Sequence, residues 1–230
     1  MAQDIGVVRQ SSYSNWSEGQ DRGVRINRRG EVVDLNFIQQ SVADGRVFAA
    51  NGGRGSTVIT FAGAYDADAP DFFIHVPTGI TIIPVRIEVI YEAVGTESTM
   101  EIIALASSTG DETATGTAVS QANIMNLRTD RPFVSACTVT VAIDAAGITD
   151  PNAGNYIEFW KFQRPLTDTV ATTENDRNPL VFTWSALSDG PAPVIVAGAS
   201  GASLSVYAAS QAGTGFITVT WIELPSVSVT

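Results

Sequence analysis

Apolar and polar residues alternate most regularly between residues 72 and 106, which is the clearest strand signal in the chain. One parity of this stretch is apolar and contains Ile83, Val85, Ile87, Val89, Tyr91 and Ala93. The other parity carries Arg86, Glu88 and Glu92. Because successive side chains of a strand point to opposite faces, the first set is expected in the core and the second on a wetter face. A turn at residues 95–98 and a return strand at 100–106 complete a predicted central hairpin.

Similar apolar runs follow one another along the chain, separated by turns rich in Gly, Pro, Asn and Asp. They lie at residues 31–40, 46–50, 56–61, 132–143, 156–164, 180–187, 194–197, 204–208 and 216–224. Roughly ten short strands with turn signals between them predict an all-β protein, a β-sandwich of jelly-roll type. The long strand from Ile80 and the last strand from Phe216 are expected to be central neighbours. Residues 118–127 fit either a short helix or a long loop.

The N-terminal part of the chain has a different composition from the rest. Residues 1–30 are rich in Ser, Asn, Gln, Gly and Arg, and are too polar to build a core of their own. We therefore expect an extended N-terminal arm with a short β-hairpin across residues 1–55 and a jelly-roll β-sandwich body across residues 56–230. The glycine-rich loop at 51–55 lacks the P-loop pattern and is interpreted as the hinge between them.

Charge is also distributed unevenly along the chain. Residues 1–50 contain six arginines and six acidic residues, so the net charge of −11 falls entirely on residues 51–230. An acidic body repels nucleic acid, which argues against a nucleic-acid partner. No run approaches the ~18 apolar residues of a membrane-spanning helix, and the N-terminus lacks an export signal. The expectation is a chain with no membrane partner, made and used without Sec export.

Candidate catalytic or metal-binding residues are few. His75 is the only histidine, so a zinc site is not favoured, and no GxSxG motif accompanies it for a nucleophilic triad. Asp66, Asp68 and Asp71 offer oxygen ligands for Ca²⁺, but they lack the EF-hand spacing and a solvated turn is favoured. Cys137 lies in an apolar strand and is expected to be a buried small hydrophobe. We expect neither an enzyme nor a cofactor.

Seven residues are the candidates for contact with a partner protein, and six of them precede residue 30. Four arginines cluster around a turn at residues 27–30, and this cluster is either a solvated basic turn or a contact with an acidic surface. The seven candidates are Tyr13, Trp16, Arg22, Arg25, Arg28, Arg29 and Arg46. In residues 156–164 aromatic side chains occur on both parities, which indicates either a sheet face that meets a partner or a core strand with an amphipathic outer face.

Three segments carry a resemblance to a known family. They read DGRVFAANGG at 44–53, FFIHVPTGITIIPVRIEVIYEAVGTESTMEIIALA at 72–106 and FITVTWIELP at 216–225. The stretch Gly45-Arg46-Val47-Phe48-Ala49 resembles a GxVFxA-like strand that precedes the body in virion structural proteins of tailed bacteriophages. The run from His75 to Tyr91 resembles their next long strand, although Pro84 interrupts it here. Trp221 followed by Glu223 resembles the end of their last strand.

This resemblance implies a capsid decoration, or cement, protein. Such proteins are often jelly-roll trimers that sit on the outer capsid surface of the virion and clamp neighbouring major capsid subunits. The implied partners are therefore the major capsid protein and further copies of this chain. The alternative within the virion is a minor or major jelly-roll capsid protein, or a tail or fibre module.

Two further alternatives lie outside the virion. A carbohydrate-binding sandwich would use Trp16, Trp160 or Trp184 to stack on sugars, with the three aspartates of residues 66–71 holding Ca²⁺. A glycosidase would use two carboxylates, but no pair of acids lies in a distinctive motif.

Overall fold

The computed structural model of the chain describes residues 36–55, 57–94, 99–110, 116–143, 147–148, 156–165, 180–209 and 212–228. These residues form two antiparallel sheets that pack face to face, which confirms the predicted all-β sandwich. A helix, α1 (Phe37–Ala43), precedes the first strand. Two short 3₁₀ helices lie at Gln121–Asn123 and Ser226–Ser228.

The strands of the described residues are numbered in chain order. They are β1 (Val47–Gly52), β2 (Ile59–Phe61), β3 (Phe72–Val76), β4 (Ile80–Val94), β5 (Thr99–Ser107), β6 (Thr117–Val119), β7 (Met125–Asn126), β8 (Thr138–Val141), β9 (Tyr156–Pro165), β10 (Leu180–Ser185), β11 (Ile195–Val196), β12 (Ala202–Ala208) and β13 (Gly213–Pro225). Sheet 1 has the order β10-β4-β13-β1-β7, with β2 beside β13 and β11 beside β4. Sheet 2 has the order β6-β8-β3-β12-β5-β9. The pairing of β4 with β13 confirms that these two strands are central neighbours.

Four antiparallel strand pairs are nested within one another along the chain. β1 pairs with β13, β3 with β12, β4 with β10, and β5 with β9. Successive pairs alternate between sheet 1 and sheet 2. The chain therefore runs as a doubled ribbon that winds around the sandwich.

The core lies between the sheets and is built from alternate residues of both. Trp184 and Trp221 fill the sheet 1 side, and Phe72, Ile74 and Leu204 face them from sheet 2. All five side chains are almost completely buried. Full burial of a large apolar side chain stabilises the fold by about 1.5–3 kcal/mol, so this layer holds the sandwich together.

α1 covers one end of the outer face of sheet 1. Ile38 and Val42 pack there against Val47 and Ile222, a cluster separate from the main core. Asn36 caps the helix, because its side-chain oxygen accepts a hydrogen bond of 2.8 Å from the backbone N–H of Gln39. The cap therefore stabilises the first turn of the helix, and the apolar contacts hold the helix against sheet 1.

The predicted hairpin between residues 80–94 and 100–106 is wrong. β4 belongs to sheet 1, whereas β5 pairs with β12 and β9 in sheet 2. The chain crosses from one sheet to the other between these two strands. Alternation and a turn signal are common to hairpins and to such crossovers, so the local pattern did not distinguish them.

The single buried parity predicted for β4 is also wrong. Ile87, Val89 and Tyr91 face the core, but Ile83 and Val85 pack with α1 on the outer face. The cause is a β-bulge, since Trp221 pairs with Pro84 and Thr220 with Arg86, which leaves Val85 as an extra residue. Proline has no backbone N–H to give to the ladder and is tolerated at such an interruption.

The strand predicted across residues 31–40 is wrong in its second half, because Phe37 begins α1. Residues 46–50 do not pair back onto it. Instead, β1 runs between β13 and β7, so residues 47–52 are part of sheet 1 and not of a separate arm hairpin. Residues 1–35 lie outside the described residues, and the extended arm stays a prediction. Residues 118–127 contain the end of β6, a 3₁₀ helix and β7.

Candidate functional site

An exposed apolar surface lies at the edge of the sandwich that is formed by β6, β7 and residues 127–134. We call it the Phe133 surface. Its apolar members are Met125, Leu127, Phe133 and Val134, and its basic members are Arg46, Arg54, Arg128 and Arg131. Val134 is 76% exposed, the highest value among these apolar residues. Apolar patches rimmed by polar residues mark interaction sites on soluble proteins.

A hollow of about 280 Å³ opens on this surface. It is lined by Gln121, Ala122, Ile124, Asn126, Arg131, Phe133 and Val134. A second hollow of about 90 Å³ lies beside Arg46 and Glu223 and shares Phe133 and Val134 with the first. Small-molecule sites usually enclose roughly 300–1,000 Å³, so the larger hollow lies at the lower end of that range and the smaller one well below it. Both have room for a protruding side chain of a partner.

A buried carboxylate holds the segment that carries Phe133 and Val134. Glu223, on β13, is only 4% exposed. Its Oε1 accepts hydrogen bonds from the Ser135 hydroxyl (3.1 Å) and from the backbone N–H groups of Ala136 (2.9 Å) and Cys137 (3.1 Å). Burial raises the pKa of Glu223, and these hydrogen bonds oppose the rise. The carboxylate therefore ties residues 135–137 to the middle of sheet 1.

A buried amide fixes the other side of the same segment. The Nδ2 of Asn126 donates to the carbonyl oxygens of Gly45 (2.8 Å) and Phe133 (3.1 Å). Its Oδ1 accepts a hydrogen bond of 2.9 Å from the backbone N–H of Arg128. Because a buried polar group is costly unless it is bonded, this network specifies one position for the loop. The Phe133 surface is thus preorganised.

The Phe133 surface is positively charged. The guanidinium of Arg46 lies 4.3 Å from the centroid of the Phe133 ring, at cation–π distance. Arg128 pairs with Asp130, with 2.9 Å between Nε and Oδ1, and donates to the carbonyl of Ala43. Among the described residues, Arg46, Arg54 and Arg131 take part in none of the ion pairs. These three charges favour an acidic partner surface.

Of the seven residues predicted to contact a partner, only Arg46 lies among the described residues. It sits within the Phe133 surface, beside the smaller hollow. Tyr13, Trp16, Arg22, Arg25, Arg28 and Arg29 lie outside the described residues. They connect to the body through Asn36 at the start of α1.

The residues considered for chemistry have structural contacts instead. The Nδ1 of His75 forms a hydrogen bond with the carbonyl of Gly110. Asp71 is buried and accepts hydrogen bonds from the N–H groups of Ala62 (2.8 Å) and Ala208 (2.7 Å). Burial raises the pKa of Asp71 from its ordinary 3.8 to about 6, although both hydrogen bonds lower it. Within the described ranges, no three His, Cys, Asp or Glu side chains are grouped so that they could hold a metal ion.

The predicted burial of Cys137 is confirmed. Burial raises the pKa of its thiol, and the nearby carboxylate of Glu223 adds to the effect. A thiol held in its protonated form is a poor nucleophile. Cys137 therefore belongs to the core.

The carbohydrate-binding alternative would need Trp160 or Trp184 at the surface, but both are buried. Trp184 makes an edge-to-face contact with Phe159, with ring centroids 5.0 Å apart. The mixed aromatics of residues 156–164 have two environments, since Trp160 packs in the core while Phe162 and Tyr156 are exposed. The core interpretation therefore holds for Trp160, and a partner contact at Tyr156 and Phe162 stays a prediction.

Sequence analysis missed the roles of Glu223 and Asn126. For Glu223 a signal was present, since it shares the parity of the core residues Ile217, Val219 and Trp221. An acid on the buried parity of a strand must find hydrogen-bond donors, so its burial was predictable even though its partners were not. Asn126 follows no comparable pattern.

None of the described helices is long and apolar enough to span a membrane. No protein-family model matches the chain, and the curated proteins include none that is significantly similar to it.

Proposed function

We propose that this protein is a bacteriophage capsid decoration protein that binds the outer surface of the shell as a homotrimer. In this function it clamps neighbouring major capsid subunits and stabilises the particle. The protein acts through contacts and not through catalysis. Its place is the virion surface, after synthesis in the host cytoplasm.

The nested strand pairing is the observation that carries this proposal. Eight of the described strands pair the first with the last, the second with the second last and so on, in alternate sheets. A rolled-up antiparallel ribbon produces such pairing, which supports the jelly-roll type that we propose for the sandwich. Jelly rolls are common in viral capsid proteins, and this supports the resemblance of residues 45–106 and 214–225 to phage virion proteins. Lectins and cupins share the pattern, so the capsid function is inferred from the pattern together with the resemblance.

The charge distribution supports different roles for the N-terminal arm and for the body. The cluster of Arg22, Arg25, Arg28 and Arg29 suits an acidic surface on the major capsid protein, with Tyr13 and Trp16 adding apolar contact. The acidic body faces solvent. Each copy then needs only a modest contact, because several copies joined together bind the lattice with combined affinity.

The carbohydrate-binding alternative has lost its main support. Two of its three tryptophans are buried, and Asp71 is committed to backbone N–H groups. The remaining alternative is another virion component. It would differ from a decoration protein in copy number and position, and counting the copies per particle distinguishes the two.

Co-sedimentation with empty phage shells tests the proposal. The full-length chain is expected to sediment with shells of its own phage that lack it. Replacing Arg22, Arg25, Arg28 and Arg29 together by Ser is expected to weaken binding roughly tenfold or more, since four charge-assisted contacts are removed. The body should keep its melting temperature.

A matched variant controls for composition. Replacing Asp4, Glu18, Asp21 and Glu31 by their amides changes four charges of the same segment and should leave binding intact. Unchanged binding of the arginine variant would show that the arm is not the contact. Failure of the unmodified chain to sediment with shells would reject the capsid function itself.

A further inference from the structure

The sandwich has a second exposed apolar surface at the edge opposite the Phe133 surface. β10 ends sheet 1 on the side away from β7, and β9 ends sheet 2 on the side away from β6. β9 and β10 lie next to each other, because Phe162 contacts Phe182 with ring centroids 5.2 Å apart. We call this side the β9–β10 edge. The two surfaces therefore lie on opposite sides of the molecule.

The β9–β10 edge is apolar and open. Its exposed apolar side chains are Tyr156, Ile157, Phe162, Val181, Leu187 and Val196. Ile157 is 61% exposed. Among the described strands, β9 pairs only with β5 and β10 only with β4, so no described strand pairs with the other side of either. Long, exposed and apolar edge strands are surfaces that proteins normally cover.

The charges of the two surfaces are complementary. Outside the ion pairs of the described residues, the Phe133 surface offers Arg46, Arg54 and Arg131 against one acid, Asp44, which lies between Ala43 and Gly45. At the β9–β10 edge the acids outside those ion pairs are Glu92, Glu158 and Asp189, against one such base, Arg164. Contact between opposite edges thus matches positive with negative charge. Contact of either edge with itself would bring like charges together, which is costly.

We propose that the protein associates head to tail, with the Phe133 surface of one copy against the β9–β10 edge of the next. Each copy then uses both surfaces. Such a contact closes into a ring of three where it turns each copy by about 120° relative to the one before, and without that turn it builds an open filament. The hollow beside Phe133 receives an apolar side chain of the neighbouring copy. This inference specifies the interface of the homotrimer proposed above and depends on that proposal only for the number of copies.

Two single substitutions test the interface in the full-length protein. Val134→Asp and Ile157→Asp each place a charge in one surface and leave the other intact. Both positions are exposed, so the melting temperature should change little. Each variant alone is expected to lose the ring, which native mass spectrometry and sedimentation velocity measure as a fall to the monomer mass. Val227→Asp, at an 80% exposed position outside both surfaces, is the matched control and should keep the mass of the unmodified protein.

Mixing the two variants separates head-to-tail from two-fold association. The mixture contains one intact Phe133 surface and one intact β9–β10 edge, so it is expected to form a heterodimer that neither variant forms alone. A two-fold interface would leave one variant fully associated and would give no new species on mixing. Either of those results, or a monomeric unmodified protein, overturns the inference.

These measurements are made without capsids, so they are independent of the capsid function. A monomer that still sediments with phage shells rejects the head-to-tail interface and keeps the decoration function. A ring that does not sediment with shells keeps the interface and rejects that function.

Discussion

At the scale of single residues, the buried acids of this protein organise backbone segments. Glu223 holds residues 135–137 beneath the Phe133 surface, and Asp71 joins the ends of two other segments at Ala62 and Ala208. Both carboxyls have a raised pKa because burial penalises the charged form more than their hydrogen bonds favour it. The apolar strand around Cys137 predicted that this residue is buried. The position of Glu223 on the apolar parity of its strand was consistent with burial. These patterns gave no information on the groups that donate hydrogen bonds to the two carboxylates, because those groups are distant in the sequence.

Asp71 is expected to make stability depend on pH. Its pKa in the folded state is about 6 and its ordinary value is 3.8, so between these values the folded state binds more protons than the unfolded state. The free energy of unfolding should therefore fall as pH rises from about 4 to about 6, by up to roughly 3 kcal/mol from this group. Urea unfolding at several pH values measures it. Asp71→Asn removes the titrating group. If the free energy of unfolding falls equally steeply with pH in this variant, Asp71 is not the source of the pH dependence.

At the scale of elements, β4 illustrates both the strength and the limit of sequence patterns. Its alternation predicted a long strand and its central position next to β13, and both are confirmed. The bulge at Val85 exchanges the two faces, and no parity count through Pro84 anticipates that exchange. Likewise, the pattern at Val33, Leu35 and Phe37 suggested a strand, whereas Asn36 is the N-cap of α1. Asn is a favoured N-cap residue, so the sequence carried a helix signal before Phe37 that the strand prediction did not use.

Two substitutions of the same kind in β4 are expected to have different effects. Ile87→Asp places an unpaired charge in the core and should prevent folding, because that cost exceeds the few kcal/mol of a domain's stability. Ile83→Asp lies on the other face, where its side chain is only partly buried against α1, and the sandwich should still fold. Circular dichroism melting curves compare the two variants. If both variants unfold, or both melt normally, the two faces have been assigned wrongly.

At the scale of the whole molecule, the sequence specified the fold class but not the path of the chain. Strand number, turn signals and the absence of long helical patterns were local information and predicted the sandwich. The crossing between β4 and β5 and the inclusion of β1 in sheet 1 depend on contacts between distant residues. For the same reason the Phe133 surface could not be predicted, since it unites Arg46 with residues far along the chain. Of the site, sequence analysis named only Arg46 among the described residues.

The position of β1 predicts where the chain can be shortened. Removing residues 1–35 leaves α1 and every described strand pair intact, so the remaining chain should fold. Removing residues 1–55 deletes β1 and leaves the edges of β13 and β7 unpaired, so the remainder should not fold cooperatively. Urea unfolding transitions of the two shortened chains measure this. Cooperative folding of the shorter chain would show that residues 56–230 form an independent body, as the sequence first suggested.

The nested pairing also governs how the protein is made in the cell. β13 pairs with both β4 and β1, and it ends at Pro225. Until β13 has been translated, sheet 1 lacks its central strand, so β1 and β4 each have an unpaired edge. Folding that waits for such distant pairing is slow, and the incomplete sheet is prone to aggregate. Synthesis of this chain therefore places its greatest demand on chaperones in the interval before β13 has emerged from the ribosome.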